Sequence, residues 1–251
     1  EQGTKKLAKR DGAKDILAYR EEGYLTDAML NFLASLGWND GTEQEVFTRD
    51  ELIEKFSLKR VQKSGARFDE KRLLWLNGAH IRNTPVDKLY EYVSPREDNP
   101  QEDGKQTGFW PESAYAPNIT KEYRMKVLTL AQDRLKMFED LRGFDYFFAD
   151  PEIDTELIDG NKQLRKLTDD ERRDLLSIAR QEFEKITDWT PETIQNCLNQ
   201  LLETTGQKPG ILFSLVRIVT TWAPFSPQLN DTLALIGKEK TLQRIDNYLQ
   251  K

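Results

Sequence analysis

Lys5-Lys6-Leu7-Ala8-Lys9-Arg10-Asp11-Gly12 gathers four basic side chains into a short stretch that ends on a glycine. Lysines three apart on a glycine-bounded loop can set two ammonium groups against one polyphosphate and offset the negative charge that builds up in a transition state. Short Lys-x-x-Lys stretches are also common on solvated surfaces, so the tract gains meaning only from the residues C-terminal to it. Other chemistries are excluded by count. Cys197 is the only cysteine and His80 the only histidine, which removes disulfides, Cys-rich zinc sites and His-pair metal sites, and no bound metal is expected. No catalytic dyad or triad is visible.

Charge sharpens the picture. The chain has 251 residues, a net charge of -6 and a pI near 5.2, which argues against a general nucleic-acid binder. The distribution is uneven, however. Between Lys55 and Arg72 stand seven basic residues (Lys55, Lys59, Arg60, Lys63, Arg67, Lys71, Arg72) against Asp69 and Glu70, whereas Asp145, Asp150, Glu152, Asp154, Glu156 and Asp159 form an acidic run. One face of such a molecule can meet RNA while another repels it, although both runs also suit solvated helix faces and turns. With 37% hydrophobic and 32% charged residues, and no apolar run near the ~20 residues of a membrane span, the chain reads as a globular, cytoplasmic protein that is no membrane partner. It begins at Glu1 without an initiator methionine or secretory pattern, as a piece of a longer chain does.

The elements that must position these residues are helical. Leu25, Ala28, Met29, Phe32, Leu33 and Leu36 make one apolar stripe ended by Gly37. Thr48 and Glu51 form a capping box, with Phe47 and Leu52 placed as a hydrophobic staple. Glu45 to Phe47 is predicted as a short strand, with Arg67-Phe68 as a candidate partner. Asp69 caps a helix carrying Leu73, Leu74 and Leu76, with Asn77-Gly78 interrupting it, and Thr84-Pro85 starts a new segment. Ser94 to Asn118 reads as a long polar loop and Ala149 to Asn161 as a second linker. Thr120 opens a helix with Val127, Leu128, Ala131, Leu135 and Phe138 on its apolar side. Thr168 with Glu171, Thr190-Pro191 and Ser226-Pro227 signal three more helix starts, the last two helices ending at Gly206 and Gly237. Periodicity leaves Ile211 to Val219 open between strand and helix. Trp38, Trp75 and Trp189 are assigned to packing, Cys197 to an apolar stripe with Ile194, Leu198 and Leu201, and His80 to a structural role. No internal repeat or low-complexity tract appears.

After the opening loop come Glu22-Gly23-Tyr24-Leu25, Ala28, Asn31, Leu33, Leu36-Gly37-Trp38, Glu45-Val46-Phe47-Thr48, Phe68-Asp69, Leu73-Leu74-Trp75-Leu76-Asn77-Gly78 and Ile81-Arg82. Near the end stand Leu215-Val216-Arg217, Ser226-Pro227 and Leu233-Ala234-Leu235-Ile236-Gly237-Lys238-Glu239. This succession resembles bacterial-type glutamyl-tRNA synthetase of class I, read from its KMSKS loop to its C-terminus, with positions 94 to 120 the least family-like.

The resemblance implies a mainly α fold: a helical stem-contact module with at most a few short strands, followed by an all-helical anticodon-binding region, which makes Ile211 to Val219 a helix. It divides the chain into 1–84 (KMSKS loop and stem-contact module), 85–165 (first anticodon-binding subdomain) and 166–251 (second). It implies an enzyme, a glutamate–tRNA ligase acting on ATP with Mg²⁺, glutamate and tRNA(Glu), and a monomer. Lys6 and Lys9 match the two lysines of the loop; both touch ATP, and Lys9 is the catalytic one. Ala8 stands where the family has serine and Asp11 where many relatives carry histidine or a basic residue. The nucleotide-binding half with its HIGH motif would lie upstream, since His80-Ile81-Arg82 cannot serve as that motif, so this chain alone should bind neither ATP nor Mg²⁺ and catalyse nothing. Arg134 matches the arginine that reads the third anticodon base in glutamate-specific members, its rival role being a surface ion pair with Glu139. Arg217, Ser226 and Leu229 match further anticodon contacts, with a helix cap the other role for Ser226 and core packing for Leu229. Trp222 and Phe225 flank the same loop and are candidates either for stacking on bases or for the core. Two alternatives stay open: a non-discriminating ligase that also charges the glutamine tRNA, and a non-catalytic helical interaction module.

Overall fold

In the computed structural model, residues 14–62, 68–94 and 108–251 are described. Helix accounts for 67% of the structure and no strand or sheet forms among the described residues, as the mainly α expectation holds. The chain divides into two compact units, one made by residues up to Trp110 together with Gln132–Arg142, the other by Pro111–Ala131 with Gly143–Lys251. Each has its own core.

The first unit contains α1 (Ile16–Glu21), α2 (Thr26–Ser35), α3 (Arg49–Lys55), α4 (Glu70–Asn83) and α5 (Val86–Val93). Local chemistry sets their ends. Thr48 and Glu51 complete both halves of the capping box on α3, and Phe47 packs with Leu52 and Trp38 in a small cluster. Asp69 accepts from the N–H groups of Lys71 and Arg72 to start α4. Tyr19, Met29, Phe32, Leu73 and Leu76 build the larger cluster, in which α2 lies on α4.

Three expectations fail in this unit. Asn77-Gly78 does not interrupt α4, which runs through both. Gly78 is there for space: a Cβ would sit 3.3 Å from the Leu135 carbonyl oxygen and 3.4 Å from Lys136 Cα. Glu45 to Phe47 is not a strand. The side chain of Asn31, fully buried on α2, takes the place of a strand partner, its Nδ2 donating to the Glu45 carbonyl at 3.2 Å and its Oδ1 accepting the Phe47 N–H at 2.8 Å. Trp75 is 47% exposed on the outer face of α4, and Leu33 of the α2 stripe is also exposed, so neither belongs to the core.

The second unit holds α6 (Lys121–Ala131), α7 (Glu156–Asp159), α8 (Asp169–Lys185), α9 (Pro191–Thr205), α10 (Pro209–Thr221), α11 (Leu229–Ile236) and α12 (Lys238–Leu249). Helices α8 to α12 enclose one continuous core around Leu176, Phe183, Leu198, Leu215, Leu233 and Ile245. The capping boxes at Thr168 and Thr190 are formed, and Gly206 closes α9 in the left-handed region at φ 66°. Ile211 to Val219 is helical within α10. The stretch from Ala149 to Asn161 is more than a linker, since it folds α7 and seats Ile158 in the core. Helix α6 ends at Ala131, and Gln132–Arg134 tighten into a 3₁₀ turn, so Leu135 and Phe138 are buried without continuing that helix.

Candidate RNA interface

Lys6 and Lys9, with Ala8 and Asp11, lie outside the described residues, as do Lys63 and Arg67 of the basic run. The remaining candidates fall in different units and are built by different means.

Arg134 closes the short turn that leaves α6 for the first unit. The turn is braced on both sides. At its start, the Gln132 amide nitrogen donates toward the carbonyls of Ile81, Arg82 and Thr84 at 2.8 to 3.2 Å, where α4 ends. After it, the Lys136 carbonyl accepts from Asn77 Nδ2 at 2.6 Å, while Asp140 accepts the N–H groups of Lys136 and Met137. Further along, the Phe138 N–H donates to the Gly23 carbonyl at 3.2 Å; Gly23 has φ 88°, and a Cβ there would lie 2.5 Å from Phe138 Cβ. The Arg134 side chain itself is exposed and makes no hydrogen bond or ion pair among the described residues. Glu139, the acid expected to compete for it, is held by Arg142 at 3.0 Å.

Arg217, on α10, and Ser226 are brought together: Arg217 Nε donates to Ser226 Oγ at 2.9 Å, and that hydroxyl donates on to the Pro227 carbonyl at 3.0 Å. Ser226 is therefore not a helix cap. Helix α11 starts at Leu229 with Gln228 in the cap position, and the serine hydroxyl instead fixes the plane of a guanidinium. Leu229 is buried and packs in the core of the second unit. The two flanking aromatics part company. Trp222 takes a left-handed conformation at φ 44° and turns inward against Tyr248. Phe225 stays 48% exposed, its ring edge-on to Phe144 with centroids 6.0 Å apart and its tip 3.6 Å from where a Cβ on Gly143 would be. A guanidinium and an aromatic face beside one loop suit hydrogen bonding and stacking with unstacked bases.

Electrostatics depend on burial. Tyr146 lies beside Phe144 with its hydroxyl buried and without a partner among the described residues, and burial pushes its pKa well up. The Cys197 thiol is raised by burial to about 11, an inert packing residue. His80 shares Asn31 Oδ1 at 3.0 Å with the Phe47 N–H, so its Nε2 carries the proton; burial lowers its pKa, and its role is structural. The acidic run is partly spent inside the second unit, Asp150 on Arg244 and Asp159 on Arg172. Sequence reasoning missed Gln132, Asn77 and Arg244, whose partners lie 48 to 98 positions away apart from one 24 away. No helix among the described residues is long and apolar enough to cross a membrane.

Residues 88–249 match the model of an anticodon binding domain, and residues 1–75 match that of the catalytic domain of class I tRNA synthetases (E and Q). The glutamate–tRNA ligase of Thermodesulfovibrio yellowstonii is 33% identical over 245 residues, covering 96% of this chain and 48% of that relative. The one from Chlorobaculum parvum is 34% identical over 252 residues, covering 98% and 48%. The chain thus spans about half the length of the curated relatives it matches. A crystal structure of a glutamate tRNA ligase from Elizabethkingia meningosepticum in complex with its amino acid shares the fold, with a TM-score of 0.73 at 24% identity over all of this chain and 49% of that one. The chain belongs to the glutamate–tRNA ligase family of class I tRNA synthetases and carries its anticodon-binding domain.

Proposed function

We propose that this chain is the tRNA-reading part of a ligase that joins glutamate to tRNA(Glu) at the expense of ATP, with Mg²⁺, acting in the cytoplasm as a monomer. By role, residues 1–84 carry the KMSKS loop and stem contacts, 85–165 the first anticodon-binding subdomain and 166–251 the second, a functional partition that cuts across the two compact units. Phosphate contact is assigned to Lys6 and Lys9 and charge stabilisation to Lys9. The described residues contain no cluster of three or more His, Cys, Asp or Glu side chains able to converge on a cation. On its own the chain catalyses no pyrophosphate exchange.

The observation that carries the reading is Arg134: an exposed guanidinium on a backbone fixed from both sides, with the rival acid Glu139 already paired. A planar fork held in this way suits a base edge. Arg217, on α10 and oriented by Ser226, supplies a second such group, and Leu229 packs in the core of the same unit.

The test is binding of tRNA(Glu) and tRNA(Gln) across a salt series. Contact with phosphates must weaken binding with a slope of roughly 0.7 to 0.9 per contact. A flat response identifies a protein-binding adaptor instead. Arg134→Ala should reduce the preference for tRNA(Glu); equal affinity for both tRNAs in the unsubstituted chain marks a non-discriminating ligase.

A further inference from the structure

Arg244 is a full-length guanidinium only 3% exposed, in the middle of α12. Its charge is expensive to bury unless its nitrogens are hydrogen-bonded, and here all three are. Nη1 donates to the Thr220 carbonyl at 2.7 Å; Nη2 donates to the Tyr146 carbonyl at 2.9 Å, to that of Ala149 at 3.1 Å and to Asp150 Oδ1 at 3.2 Å; Nε also faces Asp150 at 3.3 Å. Desolvation pulls its pKa down and the Asp150 carboxylate opposes that pull.

These acceptors are not scattered. Thr220 lies at the end of α10, directly before the left-handed Trp222 turn that delivers Phe225 and Ser226. A non-glycine residue in that conformation costs about 1–2 kcal/mol, and it persists only when its surroundings hold it. Tyr146, Ala149 and Asp150 come after Gly143 and Phe144, the surface on which Phe225 rests. One guanidinium therefore ties the two backbone segments that meet at Phe225, while Arg217, one turn before Thr220, is held to Ser226 beyond the turn.

We infer that Arg244 is a positioning residue for RNA recognition: it fixes the Thr220–Ser226 loop against the Gly143–Asp150 segment, so that Phe225 and Arg217 are presented in one arrangement before RNA arrives. This rests on the RNA-reading role proposed above. Arg244 touches no RNA; it acts through Phe225 and Arg217, and preorganisation of that kind lowers the ordering cost of binding.

The experiment measures binding of a fluorescent RNA hairpin bearing the glutamate anticodon loop to the 251-residue chain, with Arg244→Lys placed in two backgrounds. In the unsubstituted background, Arg244→Lys keeps the charge but cannot span four acceptors, and should weaken binding about tenfold, comparable with losing a stacked base. In the Arg217→Ala/Phe225→Ala background, whose remaining affinity comes from phosphate contacts, it should change binding by less than ~2-fold. An equal loss in both backgrounds, or no loss in the first, overturns the inference, because a merely structural arginine would not distinguish them. Should Arg244→Lys fail to melt cooperatively, Asp150→Ala replaces it; this exposed carboxylate supplies two of the contacts, and a loss of about threefold confined to the unsubstituted background supports the inference, whereas equal losses overturn it. Absence of salt-dependent hairpin binding by the unsubstituted chain defeats the RNA-reading role itself, and the inference with it.

Discussion

Asn77 offers a direct measure of how firmly the Arg134 turn is held. It is fully buried on α4 and uses both ends of its amide, accepting the Leu25 N–H at 2.8 Å and donating to the Lys136 carbonyl at 2.6 Å. Asn77→Ala strands both backbone groups. A buried group left without a partner costs about 1–3 kcal/mol. The Leu25 N–H is sealed from water and incurs that in full, whereas Lys136 is exposed and water can reach its carbonyl, so the sum lies at roughly 2–4 kcal/mol. That is a large part of the ~5–15 kcal/mol of a typical domain. Urea titration combined with hydrogen exchange of peptides from α2 and α4 reads the first unit separately from the second. Asn77→Asp supplies the internal control. Its carboxylate still accepts from Leu25 but can donate to Lys136 only when protonated, so its folded pKa must rise above the unfolded value. The stabilisation is present below the unfolded carboxyl pKa of ~3.9 and is lost as pH rises through the folded one. Relative to the unsubstituted protein, this variant should be closest at acid pH and fall behind toward neutrality. A loss under ~0.5 kcal/mol for Asn77→Ala, or an Asn77→Asp deficit that ignores pH, refutes the reasoning.

Two further outcomes test the same unit. Gly23→Ala forces a left-handed alanine, about 1–2 kcal/mol, onto the Cβ, N and Cα of Phe138 at 2.5 to 2.9 Å, where overpacking adds about 1–3 kcal/mol; the urea midpoint should fall accordingly, and an unchanged midpoint would mean that the Phe138 segment yields freely. His80 has a folded pKa below its usual ~6.5 because it is buried. The unfolded chain therefore binds the proton more readily, and the stability that neutral His80 contributes is present above pH ~6.5 and is lost as pH falls through the folded value. Stability of the first unit measured from pH 7.5 to about 5 should decline, and His80→Gln should flatten the decline; an equally steep curve in that variant assigns the effect elsewhere.

The features legible in the sequence are those settled within a turn or two of chain. Thr48 with Glu51, Thr168 with Glu171, Thr190-Pro191 and Gly206 all end or begin helices where expected, because a cap satisfies backbone groups three or four residues away. Ser226 mimics that signal and is diverted by a partner nine positions earlier. Glu45 to Phe47 looks like a strand because its backbone needs partners, and nothing local shows that the amide of Asn31 will provide them. Trp75 misleads for the opposite reason: its large apolar surface suggests a core, yet its register on α4 points outward. Arg134 is identified by resemblance alone; its freedom from Glu139 depends on Arg142, a competition that spacing cannot decide.

The two arginines illustrate different solutions to one physical difficulty. An arginine that must be ordered on binding loses up to ~2 kcal/mol of rotamer freedom. For Arg217 much of that loss is met in folding, since Ser226 holds Nε and Arg244 holds the turn that carries Ser226. For Arg134 only the backbone is fixed, by Gln132 on one side and Asn77 on the other, and the side chain is exposed without a bond to hold it among the described residues. A preset guanidinium accepts a narrow range of base positions, whereas a swinging one on a rigid base can search for its partner. In the proposed RNA-reading role, Arg217 would therefore contribute most through geometry and be sensitive to distant substitutions in α12, while Arg134 would contribute through its own contacts and be sensitive to whatever loosens α4.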